Sequence, residues 1–306
     1  MTNGGPGDSR PSKNQRRDAA RKKATLLREV QKKKDRRNRV FLQGGIAVAA
    51  IAIVGIIALI IVNSIRPVGP GPANMASDGV LIGQGLQTVK TSALQPEAEP
   101  IASVPDSTGA VADIRVYIDY LCPYCGQFEQ TNSEQIAQWV DTGAATVEIH
   151  PVSILTSKSA GTQYSLRAAN AAACVANSSP NDFYPFNAAL FEDQPQEGTG
   201  GLTNGELKKV VRSSGVTSSL SKIDTCIDDV QYKSWVLAAT DRALTGPIPN
   251  ASIPKVKGTP TVLVNGKQYL GSLEDPKEFA AFVLQSAGAT YSSSTTTPKP
   301  TPTPSG

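Results

Sequence analysis

Cys122 and Cys125 flank Pro123 and Tyr124 within YIDYLCPYCGQFEQ, residues 117–130. Two thiols at that spacing can serve as half of a metal site, as a structural staple, or as a pair that alternates between dithiol and disulfide. A structural zinc site takes about four ligands of the Cys and His kind. The chain has four cysteines and one histidine, His150, and Cys174 and Cys226 lie far from the CxxC pair in sequence and in expected element. No metal site is therefore expected. As a staple, Cys122–Cys125 would close too small a ring to constrain much of the unfolded chain. The placement favours exchange chemistry.

The flanking elements must hold such a pair in place. ADIRVYIDY has the β-branched and aromatic content of a strand, and CPYCGQFEQTNSEQIAQWV spaces Phe128, Ile136, Trp139 and Val140 as one face of a helix. ATVEIHPVSIL comes next as a second strand, which makes a βαβ unit. Cys122 then falls at a helix N-terminus, where unpaired N–H groups and the positive end of the dipole stabilise a thiolate. Pro123 suits the first turn because its missing N–H would have had no partner there. Cys125, one turn further in, is expected to be shielded and to resolve. Asp119 is either a proton acceptor for Cys125 or a structural cap, with the structural role favoured. His150, at the end of the second strand, reads as a satisfied loop histidine outside the catalytic set.

The rest of the chain frames this unit. GVLIG and LQTVK read as a short first strand or hairpin. Five short helical stretches come after the βαβ unit: YSLRAANAAACVANSS, DFYPFNAALFEDQ, NGELKKVVRSSG, SLSKIDTCIDD and VQYKSWVLAATDRAL. GTPTVLVNGKQYLG then gives two strands joined by the turn residues Asn265 and Gly266, and DPKEFAAFVLQSA gives a closing helix. Four cysteines allow three pairings. In an oxidising compartment the economical one joins Cys122 to Cys125 and Cys174 to Cys226, the second being worth roughly 4 kcal/mol from loop closure. Free buried thiols at Cys174 and Cys226 are the open alternative.

Charge and hydropathy divide the chain. Before residue 40 lie 14 of the 30 basic but only 4 of the 26 acidic residues, so the remainder carries 16 basic against 22 acidic side chains. A basic arm alone would suit nucleic acid or anionic lipid. The adjoining run favours lipid: residues 40–62, VFLQGGIAVAAIAIVGIIALIIV, have Gln43 as their only polar side chain. At ~1.5 Å per residue that run spans roughly 34 Å, enough for a bilayer core. The expected organisation is a basic cytoplasmic arm (1–39), a retained transmembrane helix (40–62), a Pro/Gly linker (63–76), a globular domain (77–288) and a disordered Ser/Thr/Pro tail (289–306).

YIDYLCPYC, the HP after the second strand, the helical block and GTPTVLVNGK together resemble the DsbA-like branch of the thioredoxin superfamily, and most of all its membrane-anchored actinobacterial type. The resemblance covers about 210 residues and implies an α/β thioredoxin fold with an α-helical domain inserted over about 157–246. It further implies a cis peptide bond at Thr259–Pro260, facing the CxxC, and a substrate-binding surface formed by Tyr124, Thr259 and Pro260. A second disulfide in the helical domain also belongs to that type, which fits Cys174–Cys226.

The expected function is a thiol-disulfide oxidase without a cofactor, anchored in the cell membrane with its catalytic domain outside. It would act through Cys122 and Cys125 on reduced secreted or cell-envelope proteins, not on nucleic acid, and be reoxidised by a DsbB-like or vitamin-K-epoxide-reductase-like quinone protein. A reductase or isomerase, and a non-catalytic scaffold, are the alternatives. Tyr124 stands where DsbA enzymes often carry His and supplies no positive charge. The expectation is a Cys122 pKa of ~5 and a potential of about −220 mV.

Overall fold

The computed structural model describes residues 13–64, 69–106 and 108–294; the side chains at 13–16, 19–20, 30, 35, 39–40, 46–50, 57–64 and 289–294 lie outside the described set. The chain divides into two units, residues 1–67 and 68–306. The first holds one 52-residue helix, α1 (Lys13–Ser64), so the basic arm is helical from Lys13. Among the described residues no helix is long and apolar enough to cross a membrane. Many side chains of the 40–62 run lie outside the described residues.

The second unit is built on one six-stranded sheet. In chain order come β1 (Val80–Gly83), β2 (Gln87–Thr88), β3 (Ala112–Ile118), α2 (Pro123–Thr142) and β4 (Ala145–Pro151). Next are α3 (Tyr164–Ser178), α4 (Phe183–Glu192), α5 (Asn204–Ser213), α6 (Leu220–Asp228) and α7 (Lys233–Thr245). β5 (Thr261–Val264), β6 (Lys267–Gln268) and α8 (Pro276–Ser294) complete the unit. The strand order is β2-β1-β4-β3-β5-β6, with β3 and β4 parallel and the other neighbours antiparallel. A strand, a crossover helix and a parallel strand are what the βαβ reading required. Asn265 and Gly266, both at positive φ, make the two-residue turn between β5 and β6.

Strand alternation separates two faces. Ile114, Val116 and Ile118 of β3, with Val147 and Ile149 of β4, join Phe128, Ile136 and Val140 of α2 and Phe279 of α8 in the main core. On the other face Tyr117 packs with Val152, Ala243, Ile248, Val256 and Leu263. Arg115 and Glu148, both buried on that face, pair at 3.0 Å. His150 is buried on β4, not in a loop: it stacks on Tyr117 with ring centroids 4.4 Å apart, and its Nε2 lies 3.2 Å from Glu148 Oε2.

The helical block is organised around α3, whose run of alanines lets α4, α6 and α7 pack closely on it. Cys174 of α3 and Cys226 of α6 form a disulfide. Thr203 and Glu206 form a reciprocal capping box at the start of α5.

Two boundaries differ from expectation. The second half of the supposed linker is part of the folded body: Met75 is buried, Asn74 Nδ2 donates to Ala176 O (2.8 Å), and the Ala73 N–H donates to Asn177 Oδ1 (3.0 Å). Pro/Gly composition restricts regular structure but does not prevent a segment from packing as an irregular strap. At the other end α8 continues past Ala287 to Ser294, because no proline interrupts it before Pro298. Residues 295–306 of the expected tail lie outside the described residues.

Candidate active site

The loop after β3 delivers Cys122 to the N-cap position of α2, with Pro123 as the first helical residue. The Cys122 N–H donates to Asp119 O at 2.9 Å, and Cys122 O accepts from the N–H groups of Cys125 (3.0 Å) and Gly126 (3.2 Å). This tight turn fixes both sulfurs. Cys122 and Cys125 are free thiols, both buried, while Pro123 and Tyr124 between them are exposed.

A second element closes on them. β5 pairs antiparallel with β3 through Tyr117 and Thr261, so the chain running into β5 passes beside the chain leaving β3. Thr259 and Pro260 therefore meet the CxxC turn. The Thr259–Pro260 peptide bond is cis, as the family resemblance implied, and the Cys122 thiol donates to Thr259 O at 3.1 Å.

These neighbours pull the two thiols apart in acidity. Cys122 is lowered to about 6, first by the hydrogen bond from the Cys125 thiol and then by the Thr259 side chain and the N–H groups of Cys125 and Tyr124, against the opposing effect of burial. The bond to the Thr259 carbonyl is made only by the protonated sulfur and also works against ionisation. Cys125 is raised well above the usual thiol range, chiefly by burial and next by its bond to Cys122. The arrangement is one ionisable sulfur backed by one that keeps its proton.

Asp119 is fully buried, and its carboxylate accepts from Leu121 N (2.9 Å), Leu155 N (2.8 Å) and Ser165 Oγ (2.7 Å). Burial raises its pKa, against those three donors. Its hydrogen bonds tie β3, the loop after β4 and α3 together behind the thiols, which is the structural role. His150 sits on the sheet face shared with Tyr117 and Glu148. Cys174–Cys226 lies within the helical block, joining α3 to α6.

Sequence reading missed the polar residues that the block contributes. Tyr120 Oη donates to Asn187 Oδ1 (2.9 Å), and Asn187 Nδ2 donates to Glu129 Oε1 (3.0 Å). Burial pushes the Glu129 carboxyl up to about 7, although Asn187 opposes the shift. A glutamate one helical turn beyond Cys125 was the only available signal. Gln194, in the loop after α4, donates from Nε2 to Cys122 O (2.9 Å) and Tyr120 O (3.2 Å). Nothing in its local sequence announces that contact. Among the described residues no cluster suited to a metal ion occurs.

Comparison with known proteins agrees with this geometry. A family model described as thioredoxin matches residues 107–284. A disulfide bond oxidoreductase, DsbG, of Mycobacterium tuberculosis in its reduced form is 29% identical, with a TM-score of 0.51 over 72% of this chain and 96% of that one. DsbA of the same organism, also reduced, is 30% identical, with a TM-score of 0.50 over 71% of this chain and 100% of that one. BdbD of Bacillus subtilis shares the fold at 19% identity, with a TM-score of 0.50 over 73% of this chain and all of that one. No curated protein matches the chain.

Proposed function

We propose, from the premise that the chain belongs to the thioredoxin family and is a protein thiol-disulfide oxidoreductase of the DsbA type, that it works as an oxidase of secreted or cell-envelope proteins. The observation that carries this reading is the opposed acidity of its two thiols, Cys122 lowered to about 6 and Cys125 raised. Stabilising the Cys122 thiolate stabilises the reduced enzyme, and an enzyme whose reduced form is favoured gives its disulfide away.

In the forward reaction a substrate thiolate attacks Cys122 Sγ of the Cys122–Cys125 disulfide. A mixed disulfide forms, and Cys125 leaves with the electron pair and takes a proton, the form its buried site favours. A second substrate thiolate attacks the substrate sulfur of the mixed disulfide and releases Cys122 as thiolate. Two electrons have passed from substrate to enzyme. An extended substrate segment docks against Thr259 and Pro260, with the exposed Tyr124 ring on its flank. A quinone-linked membrane protein of the DsbB or vitamin-K-epoxide-reductase kind withdraws those electrons.

The proposal includes a membrane anchor formed by residues 40–62, with residues 1–39 in the cytoplasm and the catalytic unit outside. Its support is the sequence: 23 consecutive residues with one polar side chain, preceded by a strongly basic arm. An impermeant thiol reagent applied to intact cells should label Cys122. Labelling only after lysis would overturn the placement.

The function is tested with the full chain in detergent, oxidised and mixed with a reduced, unfolded disulfide protein. Faster recovery of the disulfides, with one enzyme dithiol formed per disulfide made, is expected. No acceleration while Cys122 remains reactive would support the scaffold, and an equilibrium with glutathione at or below thioredoxin's would support a reductase.

A further inference from the structure

Gln194 reaches from the helical block onto the first turn of the active-site helix. Its Nε2 gives one hydrogen bond to Cys122 O and another to Tyr120 O, the carbonyls on either side of Leu121. Tyr120 is fully buried, so its carbonyl depends on protein donors. The other end of the amide rests on α2 itself: a Cβ built at Gly126 would lie 2.3 Å from Gln194 Oε1 and 3.2 Å from its Cδ. Any side chain at that position would displace the amide. Gly126 therefore serves as the seat for Gln194.

The contact bears on the chemistry through the Cys122–Pro123 peptide. The oxygen that Gln194 holds belongs to Cys122, the N-cap residue of α2, at φ −76° and ψ 117°. Fixing that oxygen fixes ψ of Cys122. ψ in turn sets how Sγ sits relative to the N–H groups of Tyr124 and Cys125, which favour the thiolate.

We infer that Gln194 is a positioning residue for disulfide exchange, clamping the Cys122 peptide from the helical block with Gly126 as its required partner. Through it the block tunes the nucleophile as well as covering it. The inference rests on the exchange chemistry proposed above, yet fails separately. A parent with no oxidase activity would sink the oxidase reading and leave the titration of Cys122 measurable.

The test uses full-length protein in detergent carrying Gln194→Met, which keeps the side chain's length and removes its donor. Losing a hydrogen bond of ordinary worth should shift the equilibrium with glutathione about threefold to tenfold toward the enzyme disulfide. The pH at which Cys122 becomes half reactive toward a thiol reagent should rise. Gly126→Ala should shift both quantities in the same direction by displacing Gln194. The double variant should shift them by less than the sum of the two, since both changes break one contact. A lower unfolding midpoint with the pH profile and the glutathione equilibrium within twofold of the parent would show a merely structural contact and overturn the inference. Additive effects would break the pairing with Gly126. If Gln194→Met fails to fold, Gln194→Leu, which also removes the donor and adds no charge, takes its place under the same criteria.

Discussion

The two cysteine pairs are almost equally hidden, at 5% and 1% exposure for Cys122 and Cys125 and 0% and 4% for Cys174 and Cys226. Burial therefore does not separate them. Cys122 stands at the mouth of a helix, beside the first-turn N–H groups of Tyr124 and Cys125, with a thiol donor and Thr259 next to it. Cys174 lies well inside α3, where the backbone N–H groups are spent on the helix, and its sulfur meets a single side-chain amide, Asn170 Nδ2, at 3.6 Å. Reactivity depends on the donors that remain free beside a sulfur, and stability on the length of chain that a bridge closes.

The largest effect should come from the first pair. Cys122→Ser should abolish disulfide transfer, and so should Cys125→Ser, which has no enzyme disulfide to give. Mixed with an oxidised substrate, however, Cys125→Ser should keep Cys122 in the mixed disulfide formed by its attack on the substrate's bridge, with no partner thiol to resolve it. Gel mobility of trapped adducts with and without reductant reads this out. Transfer by Cys122→Ser would remove the contrast between the pairs altogether. The second pair should behave oppositely. Cys174→Ser with Cys226→Ser should cost about 4 kcal/mol, since the bridge spans 52 positions, yet leave the exchange rate per folded molecule unchanged. A denaturant titration and a rate measured below the new midpoint check both halves.

The same contrast explains what was legible in the sequence. CPYC between a strand and an amphipathic stretch, the order of elements around it, and Asn265-Gly266 all depend on local pattern, and each appears where it was expected. The cis bond at Thr259–Pro260 was legible only through family resemblance, because local sequence alone favours trans. Gln194, Asn187 and Glu129 were not legible. Their importance arises from α4 and the loop after it folding back onto α2, a long-range contact that periodicity does not encode. Met75 failed for the opposite reason: composition marked its neighbourhood as a spacer, while the packing of one large side chain decided otherwise.

Glu129 gives a smaller effect that sharpens the contrast further, because it is a partly buried acid with no part in the transfer step. Its pKa is raised to about 7 by burial. A raised acid contributes stability below its unfolded pKa of ~4.3 and loses it as pH rises through the folded value. Glu129→Gln should therefore stabilise the protein by about 2 kcal/mol at pH ~8 and very little at pH ~4. Unfolding midpoints at the two pH values decide it, and an equal gain at both would show that ionisation of Glu129 is not what is being relieved. Cys122 has the opposite sign. Its lowered pKa stabilises the reduced protein fully above the unfolded thiol's ~8.5, and that advantage disappears as pH falls through about 6.

The finest distinction concerns the strength of the oxidant and turns on Tyr124. The helix mouth alone led to an expected Cys122 pKa of ~5, but burial, opposing the neighbouring donors, holds it at about 6. Thioredoxin's nucleophile near ~7 goes with about −270 mV, and DsbA's near ~3.5 with about −120 mV. Against thioredoxin at pH 7, a pKa of about 6 adds roughly 0.7 unit of thiolate stabilisation. At ~30 mV per unit this puts the potential at about −250 mV, below the −220 mV expected from the helix end alone. Tyr124 is exposed and uncharged beside the nucleophile. Tyr124→His would add a group that is partly protonated near neutrality, which should lower the Cys122 pKa and raise the potential by about 10–30 mV. Equilibration with glutathione at pH 6 and pH 8 separates the outcomes. A shift larger at pH 6, where the imidazole is charged, supports a direct charge effect. An equal shift at both pH values would mean that replacing the tyrosine ring altered the turn itself, and that its geometry sets the potential.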